Sequence, residues 1–375
     1  MGRKRTPGLY KQGDIWHIDK KIRGIRLCES TGASNLREAE AYLARRIEEI
    51  RQARVYGVRP QRTFRQAATK YLDDAVEAGE LRSLERNAQA LRLLDPYIGH
   101  LLLAQVHMGT LEPYIRDRRK QGIRTGTIRR DLAAARRVLN LAARLWRDEH
   151  GLTWLETSPL IQLPKNVDAR NPYPLSWDEQ RLLFPLLPAH LQCMALFKVN
   201  TGCREQEVCG LRWDWEVEVP EFDTSVFIIP DAKVKNGNER LVVLNEVARS
   251  VIEGQRGIDP AFVFPYRKHR VTRMHNTAWK RSRELAAQKY PKVFGQNCPE
   301  GFRNIRVHDL KHTFGRRLRA TGVSFEDRQD LLGHKSGRIT THYSAVELEN
   351  LIDAANRVCE EGSRKSPVMV LLRSA

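Results

Sequence analysis

The stretch that decides the fold and the chemistry of this chain is His308-Asp309-Leu310-Lys311-His312-Thr313-Phe314, followed by Leu331-Leu332-Gly333-His334 and then by Tyr343. It gathers histidines, a lysine and a tyrosine late in a strongly basic chain. A tyrosine oxygen can attack a phosphodiester and remain bonded to it, while cations and histidines can hold the phosphate oxygens. The stretch therefore predicts chemistry on a phosphodiester.

The length and composition of the chain indicate a multidomain globular protein. Its 375 residues exceed one average domain, so two or three domains are expected. Hydrophobic residues make up 41% and charged residues 29%, which excludes a mostly disordered polymer. No apolar run approaches the ~18 residues of a membrane span, and the basic residues at the start have no apolar core behind them. We therefore expect a cytoplasmic protein without a membrane partner.

The charge balance favours an anionic partner. Lys and Arg number 64 against 45 Asp and Glu, which gives a net charge of +19. A long phosphate-binding surface has this signature, although a basic protein of unrelated function also shows it, and charge alone does not name the nucleic acid. The 6 cysteines form no C-x-x-C pair. No zinc site is therefore expected.

The first ~55 residues predict a small β-sheet packed on one helix. Ile15–Ile18 and Ile22–Leu27 alternate in a strand-like way on either side of Asp19-Lys20-Lys21, which suggests a hairpin or a three-stranded sheet. Asn35 is the expected N-cap of the helix, with Glu38 three places later. Lys20 and Lys21 are candidate DNA contacts, and the alternative is a solvated face.

A helical region follows the break at Gly57–Pro60. Its last strong helix is predicted from about Thr127 to Trp146, with apolar residues including Leu145 at core spacing. Five arginines lie on the other faces of this helix: Arg129, Arg130, Arg136, Arg137 and Arg144. They are either solvated or aligned along a phosphate backbone.

Prolines between residues 159 and 174 mark a linker, and a new domain is expected after it. Ser176 and Glu179 match a capping box at its first helix. Two β-branched runs, Val226–Ile229 and Leu241–Leu244, flank an Asn-Gly pair at 236–237, which predicts a hairpin. The chain from about Trp279 onward is predicted to be mostly helical.

Attack on a phosphodiester builds negative charge on the phosphate oxygens, so the site needs fixed cations. No set of carboxylates suits a Mg²⁺ pair, so Arg, Lys and His are the natural substitutes. Arg204 follows a glycine turn at the opening of a helix, where its guanidinium can bind two phosphate oxygens. Taken alone, it also reads as a surface arginine paired with a glutamate.

The other candidates each have a plainer interpretation too. Lys235, in the predicted hairpin, can reach the minor groove and protonate a leaving oxygen, or it is a solvated turn lysine. His308 and Lys311 share one face if 307–320 is helical, so they can point at one phosphate. His334 can donate a hydrogen bond to phosphate, or it only ends a helix. Tyr343 precedes an expected helix start, where a tyrosine often serves packing alone.

The joint order of these segments resembles the tyrosine recombinase, or phage integrase, family. That family shows T-G-x-R-x-x-E, a hairpin lysine, H-x-L-R-H-T, L-G-H and a late tyrosine; here the segments read TGCREQE, KVKNGNERLVVL, HDLKHTF, LLGH and THYS. The match spans roughly 172 to 360. The helical region is similar to the family's core-binding domain, and the first ~55 residues look like the arm-type domain of prophage integrases.

The resemblance implies a multidomain fold with a small α+β N-terminal DNA-binding domain, an all-α core-binding domain, and a mostly α catalytic domain with a small antiparallel sheet. The expected bounds are 1–57 for the arm-type domain, 62–160 for the SAM-like core-binding domain, 161–175 for a linker, 176–360 for the catalytic domain and 361–375 for a tail. The tail is apolar and is expected to dock either on a neighbouring protomer or on its own domain.

The resemblance also implies the role of each candidate residue. Tyr343 would be the nucleophile, Arg204 and His334 phosphate ligands, His308 a phosphate or proton-transfer residue, and Lys235 the general acid, with Lys233 in reserve. Lys311 departs from the family, which usually has its second arginine there. Lysine keeps the charge but loses the two-pronged donor geometry.

The implied reaction is two transesterifications through a 3′-phosphotyrosine, without ATP, cofactor or metal. The implied partners are double-stranded attachment sites of core and arm type, three further copies of the chain in a tetramer, a DNA-bending protein of the bacterial host and an excisionase. Lys311 motivates a rival, a DNA-binding regulator that has lost the chemistry. Other rivals are a type IB topoisomerase and an Xer-like resolvase, and the N-terminal module favours an integrase over both.

Overall fold

The computed structural model describes residues 6–80, 83–234, 237–333 and 345–359. It divides into two compact units, Met1–Arg170 and Asn171–Ala375. The boundary falls inside the proline-rich segment 161–175, which contains no helix or strand. Across the described ranges, no helix is both long enough and apolar enough to cross a membrane.

The first unit begins with the predicted sheet and helix, which are confirmed. Strands β1 (Leu9–Gln12), β2 (Ile15–Ile22) and β3 (Ile25–Ser30) pair antiparallel in the order 1-2-3. Helix α1 (Leu36–Tyr56) begins after Asn35, whose side chain accepts a hydrogen bond from the Arg37 amide. The strands and the helix share one apolar cluster, formed by Leu9, Ile18, Leu27, Ala39, Leu43 and Ile50.

The place of the hairpin turn was predicted wrongly. Asp19-Lys20-Lys21 does not separate two strands; it continues β2, and the Asp19 carboxylate accepts two hydrogen bonds from Arg26 across the sheet. The chain reverses at Arg23 and Gly24, where φ is 48° and 88°. A two-residue turn with two positive φ values matches the twist of the flanking strands, which makes this the favoured reversal point.

The rest of the first unit is helical, as expected. Its helices are α2 (Phe64–Glu77), α3 (Leu84–Leu94), α4 (Met108–Lys120) and α5 (Thr125–Arg144). They enclose a second, separate apolar cluster. The predicted end of α5 was too late: the helix stops at Arg144, and Leu145 is 64% exposed, so it is not a core residue. Trp146 is buried beyond the helix and donates a hydrogen bond to Asp74.

The second unit is mostly helical with small antiparallel sheets. Its helices are α6 (Trp177–Leu183), α7 (Ala189–Thr201), α8 (Glu205–Cys209), α9 (Glu246–Glu253), α10 (Thr277–Phe294), α11 (Glu300–Arg303), α12 (Val307–Ala320), α13 (Phe325–Leu332) and α14 (Ala345–Asn356). Its strands are β4 (Glu216–Val219), β5 (Thr224–Ile229), β6 (Arg240–Val243), β7 (Pro265–Tyr266) and β8 (His269–Arg270). The capping box at Ser176 and Glu179 is confirmed.

The central sheet of this unit has the order β4-β5-β6. The predicted antiparallel pairing of β5 with β6 is confirmed, with Ile229 opposite Arg240. Residues 230–239 connect the two strands, and residues 235 and 236 of this connection lie outside the described residues. Strand β4 was not predicted, since its glutamates and valines carry no apolar run. Helix α7 packs against α9 and α12.

Candidate active site

Arg204 stands where two helices meet. Helix α7 ends at Thr201, the chain turns at Gly202 with φ 63°, and Arg204 is the N-cap of α8, as predicted. Its amide donates to Glu207 Oε2 at 2.6 Å and its Nη1 donates to Glu207 Oε1 at 2.8 Å. The plainer interpretation, an arginine paired with a glutamate, thus describes part of its bonding. The guanidinium nevertheless stays partly accessible, which leaves it able to meet a ligand.

Glu207 is a buried carboxylate held between two arginines. Arg204 lies on one side, and Nη1 of Arg240, the first residue of β6, lies 2.9 Å from Glu207 Oε2 on the other. Burial by itself would raise the pKa of this carboxyl, but the charge of Arg240, with the hydrogen bonds and the charge of Arg204, lowers it overall. Glu207 is therefore a fixed anion that orients both guanidinium groups.

Three cations lie at the C-terminal end of α13 and donate hydrogen bonds to its last carbonyls. Arg240 donates to the carbonyls of Leu331 and Leu332, Lys311 also donates to the carbonyl of Leu332, and Arg204 donates to the carbonyl of Gly333 at 3.1 Å. The last carbonyls of a helix lack partners within the helix and carry its negative dipole end. The three cations satisfy these oxygens, and the chain continues directly into His334.

Lys311 lies on α12 and is only 5% exposed. Burial, then the positive charges of Arg240 and Arg204, lower its pKa to about 7. Near neutral pH this lysine is therefore poised between its charged and neutral forms. A bound phosphate would favour the charged form, because an opposite charge at short range raises the pKa of a lysine.

His308 lies on α12 one turn before Lys311, so the prediction that both belong to one helix is confirmed. Its ring stands edge-on to His312, with centroids 5.0 Å apart. Desolvation lowers its pKa to about 4, together with the charges of Lys198, His312 and Lys311. The imidazole is therefore neutral at pH 7, in a form that can donate one hydrogen bond and accept another.

Lys198, in the last turn of α7, is a buried cation that the sequence analysis missed. It is 0% exposed, and its Nζ donates to the carbonyl of Cys203, the residue before Arg204. Burial lowers its pKa to about 8. The signal in the sequence was a lysine surrounded by apolar residues in one helix, which indicates that the lysine is buried.

Three of the predicted site residues, Lys235, His334 and Tyr343, lie outside the described residues, as does the predicted C-terminal tail. The reserve candidate Lys233 is exposed in the short turn Asp231–Lys233. Among the residues that the structure describes, no group of His, Cys, Asp and Glu could hold a metal ion.

The predicted DNA contacts all belong to the first unit. Arg130, Arg136 and Arg137 are exposed on α5, whereas Arg129 is half-buried and donates to the carbonyl of Pro164. The positions 129 and 136, like 130 and 137, are seven residues apart and so return to the same side of the helix. On β2, Lys21 is exposed. Lys20 is half-buried, and its side chain covers Gly8.

Comparison with known proteins shows which family resembles this chain. Residues 183–350 match the model of the phage integrase family. The chain is 22% identical to the integrase of Salmonella phage P22, over 93% of this chain and 94% of that protein. Residues 183–350 are therefore similar to the phage integrase family of tyrosine recombinases.

One further relative and one solved structure are also similar to this chain. The tyrosine recombinase XerC of Xanthomonas campestris is 24% identical over 76% of this chain and 85% of that protein. A lambda integrase tetramer bound to a Holliday junction shares the fold, with a TM-score of 0.51, 13% identity, and coverage of 92% of this chain and 100% of that chain. Phage integrases and their relatives are enzymes that cleave and rejoin DNA, so this chain is a DNA cleavage and religation enzyme.

Glu207 and Arg240 lie in the segments that resemble the family, but their roles were not predicted from the sequence. Glu207 stood in the quoted TGCREQE segment, but it was considered only as a pairing partner of Arg204. Arg240 stood in the quoted KVKNGNERLVVL segment, and no role was predicted for it. Side chains two positions apart on a strand share one face, so the spacing of Arg240 from Val242 was the signal that could have found it.

Proposed function

We propose that this chain is a site-specific DNA recombinase that integrates or excises a prophage or another mobile element, with Arg204 and Lys311 as ligands of the scissile phosphate. One observation carries the assignment of roles: Arg204 and Lys311 donate to adjacent carbonyls, those of Gly333 and Leu332, at one end of α13. Two cations so placed can serve neighbouring oxygens of a single phosphate.

The proposed first step forms one bond and breaks one bond at phosphorus. The Tyr343 oxygen attacks the scissile phosphate, giving a 3′-phosphotyrosine, and the 5′ oxygen leaves. Lys235 donates the proton that the leaving oxygen needs, and neutral His308 can take the proton that the tyrosine loses. Arg204, Lys311 and His334 hold the non-bridging oxygens as charge develops on them.

The proposed second step is the reverse chemistry with a different hydroxyl. A 5′-hydroxyl of the partner strand attacks the phosphotyrosine, the new phosphodiester forms, and Tyr343 is released with its proton. The ester bond conserves the energy of the original linkage, so the cycle needs no ATP. Exchange between two duplexes requires four cleavage sites, which supports a tetramer on DNA as the working assembly.

The first unit distinguishes the integrase from its rivals. The P22 integrase aligns along 93% of this chain, whereas the XerC alignment covers 76% of it. We propose that residues 1–57 bind arm-type sites and residues 62–160 bind core-type sites, with 176–360 as the catalytic domain. Such a division suits an integrase that bridges two kinds of DNA site, assisted by a host DNA-bending protein and an excisionase. A topoisomerase or an Xer-like resolvase needs no arm-binding module.

The test is covalent trapping on nicked DNA. Overlapping duplexes that tile the DNA flanking the gene are first screened for specific binding, and the bound duplexes are then nicked next to each phosphate in turn. Cleavage beside a nick releases a short fragment, so the adduct accumulates. Wild type should form the adduct, and Tyr343→Phe should bind the same duplex without forming it.

Two results contradict the proposal. If wild type binds a duplex specifically yet forms no adduct at any nick, the chain is the DNA-binding regulator instead. If wild type relaxes supercoiled plasmid without any preferred site, the chain is a topoisomerase and not a site-specific recombinase.

A further inference from the structure

Arg240 is a buried cation that the proposed reaction does not use. Its guanidinium contacts Glu207 at 2.9 Å and donates to the carbonyls of Leu332 at 3.2 Å, Leu331 at 3.3 Å and Thr201 at 3.4 Å. One side chain therefore joins the end of α7, helix α8 and the end of α13 to the first residue of β6. Arg240 is only 3% exposed, so it is enclosed by these elements and does not face solvent.

The partners of Arg240 are shared with both candidate phosphate ligands. Glu207 accepts hydrogen bonds from Arg204 as well, and the Leu332 carbonyl accepts one from Lys311 as well. Arg240 is thus one shared partner away from each of the two cations. A displacement of its guanidinium would move the carboxylate that orients Arg204 and the carbonyl that holds Lys311.

We propose that Arg240 is a positioning residue that sets the separation of Arg204 and Lys311 for a single phosphate. The inference rests on the proposed function of these two cations. Arginine suits the task because its planar group presents several donors in a fixed fork. A lysine at position 240 would keep the charge but would not hold a carboxylate and the α13 carbonyls in one plane.

The backbone at Gly333 supports the same conclusion from the opposite side. Gly333 adopts φ 57°, and a Cβ at this position would lie 2.6 Å from Arg240 Nη1. The end of α13 thus approaches the guanidinium closely enough that no side chain fits between them. The contact between Arg240 and α13 is therefore steric as well as electrostatic.

A buried arginine can also be a purely structural residue, and the same unit offers a matched control. Arg317 on α12 is likewise 3% exposed, donates to Gln180 at 2.8 Å, and stacks over the Trp177 ring at 3.4 Å. Within the described part of the chain, it has no hydrogen bond to Glu207 or to the end of α13. Its loss should lower stability without moving the phosphate ligands.

The experiment compares Arg240→Gln, Arg240→Lys and Arg317→Gln in the full chain. The readouts are DNA affinity, the single-turnover rate of adduct formation on the nicked duplex at saturating protein, and the folded fraction by thermal unfolding. We expect Arg240→Gln to slow adduct formation per folded molecule about 100-fold while DNA affinity changes little, because small misplacements of catalytic groups have effects of this size. Arg240→Lys should recover part of the rate, and Arg317→Gln should keep the wild-type rate per folded molecule.

A pH profile adds a readout that a structural role would not change. Burial and the charges of Arg240 and Arg204 lower the pKa of Lys311, against the opposing influence of Glu207 and Cys203. Removing the Arg240 charge should therefore raise the pKa of Lys311, and the alkaline limb of the cleavage profile should shift to higher pH. In Arg317→Gln the limb should stay where it is in wild type.

The possible results separate the inference from the proposed function. Equal rates per folded molecule in Arg240→Gln, Arg317→Gln and wild type would overturn the inference alone. If wild type binds but never forms an adduct, the proposed function and the inference fall together. Should Arg240→Gln fail to fold, Gly333→Ala crowds the same guanidinium, and an unchanged rate in that variant and in Arg240→Lys would overturn the inference.

Discussion

The arginines of α5 and the cations at the end of α13 carry the same charge in opposite surroundings. Arg130, Arg136 and Arg137 are exposed and lie along one helix in the first unit. Lys311 and Arg240, in the second unit, are almost wholly buried and are bonded to a carboxylate or to backbone carbonyls. Exposed charge is screened by salt and serves affinity, whereas buried charge is oriented in advance and serves chemistry.

The largest effect is expected from removing Arg204, the most accessible of the three cations at the end of α13. Arg204→Ala should slow adduct formation about 1,000-fold, because a preorganised donor to a developing charge has an effect of this order. DNA affinity should change far less, since many other contacts hold the duplex. Single-turnover cleavage of the nicked duplex measures the rate. Arg181→Ala removes an exposed arginine paired with Asp178 and should leave the rate unchanged. Equal losses in both variants would contradict the contrast between exposed and buried charge.

The second prediction concerns the anion that holds the buried group. Glu207→Gln leaves two guanidinium groups without their counter-charge, so we expect the free energy of unfolding to fall by about 3–5 kcal/mol. The pKa of Glu207 is lowered in the folded state, so its stabilisation is complete above the ordinary carboxyl pKa and is lost as pH falls through the folded-state value. The difference between wild type and variant in urea unfolding should accordingly shrink in acid.

Glu253→Gln is the control for that measurement. Glu253 pairs with Arg256 at the surface of the same unit, and exposed pairs contribute about 0–1 kcal/mol. If Glu207→Gln cost no more than this control, Glu207 would not be a fixed anion that holds the two arginines.

The third prediction addresses the exposed group. Changing Arg130, Arg136 and Arg137 together to glutamine should weaken DNA binding and reduce the slope of log affinity against log salt by about 2.7, or ~0.9 for each phosphate that is no longer neutralised. Adduct formation at saturating DNA should keep its rate. The same three changes to lysine preserve the charge and should preserve the slope. An unchanged slope in the glutamine variant would mean that these arginines are only solvated.

The smallest effect at neutral pH is expected from Lys311→Arg. The lysine loses its proton as pH rises through about 7, while arginine remains charged. At subsaturating DNA, where the rate reports the free enzyme, the ratio of variant to wild-type rate should rise up to about tenfold for each pH unit above 7. A ratio that stays constant between pH 6 and pH 9 would show that Lys311 does not titrate in this range.

The sequence predicted the parts of the fold and site that depend on short patterns. Helix α12, the turn before Arg204 and the Asn35 cap follow from local signals, and the structure has each of them. The order of the motifs indicated the family. Bonding between distant segments could not be predicted in this way: the contact of Arg240 with Leu331 joins residues 91 positions apart. A burial that tertiary packing alone creates, as for Lys198, leaves only a weak trace in a single sequence.

The errors have physical reasons as well. Asp19-Lys20-Lys21 was taken for a turn because charged residues are common in turns, but on a sheet open to solvent they fit a strand equally well. The end of α5 was predicted too late because Leu145 and Trp146 continue the apolar spacing, but the helix stops at Arg144.

The cations at the C-terminal end of helix α13 constrain the length of this helix. It begins after Ser324, whose side chain accepts a hydrogen bond from the Asp327 amide, and it ends at Leu332 after eight residues. Each residue of an α-helix adds about 100° of rotation, so one inserted residue would turn the last carbonyls away from the cations that face them. Insertions in the surface segment before α11 would carry no such penalty. The number of residues in α13 is thus a functional constant of this enzyme, as much as the identity of any side chain in its site.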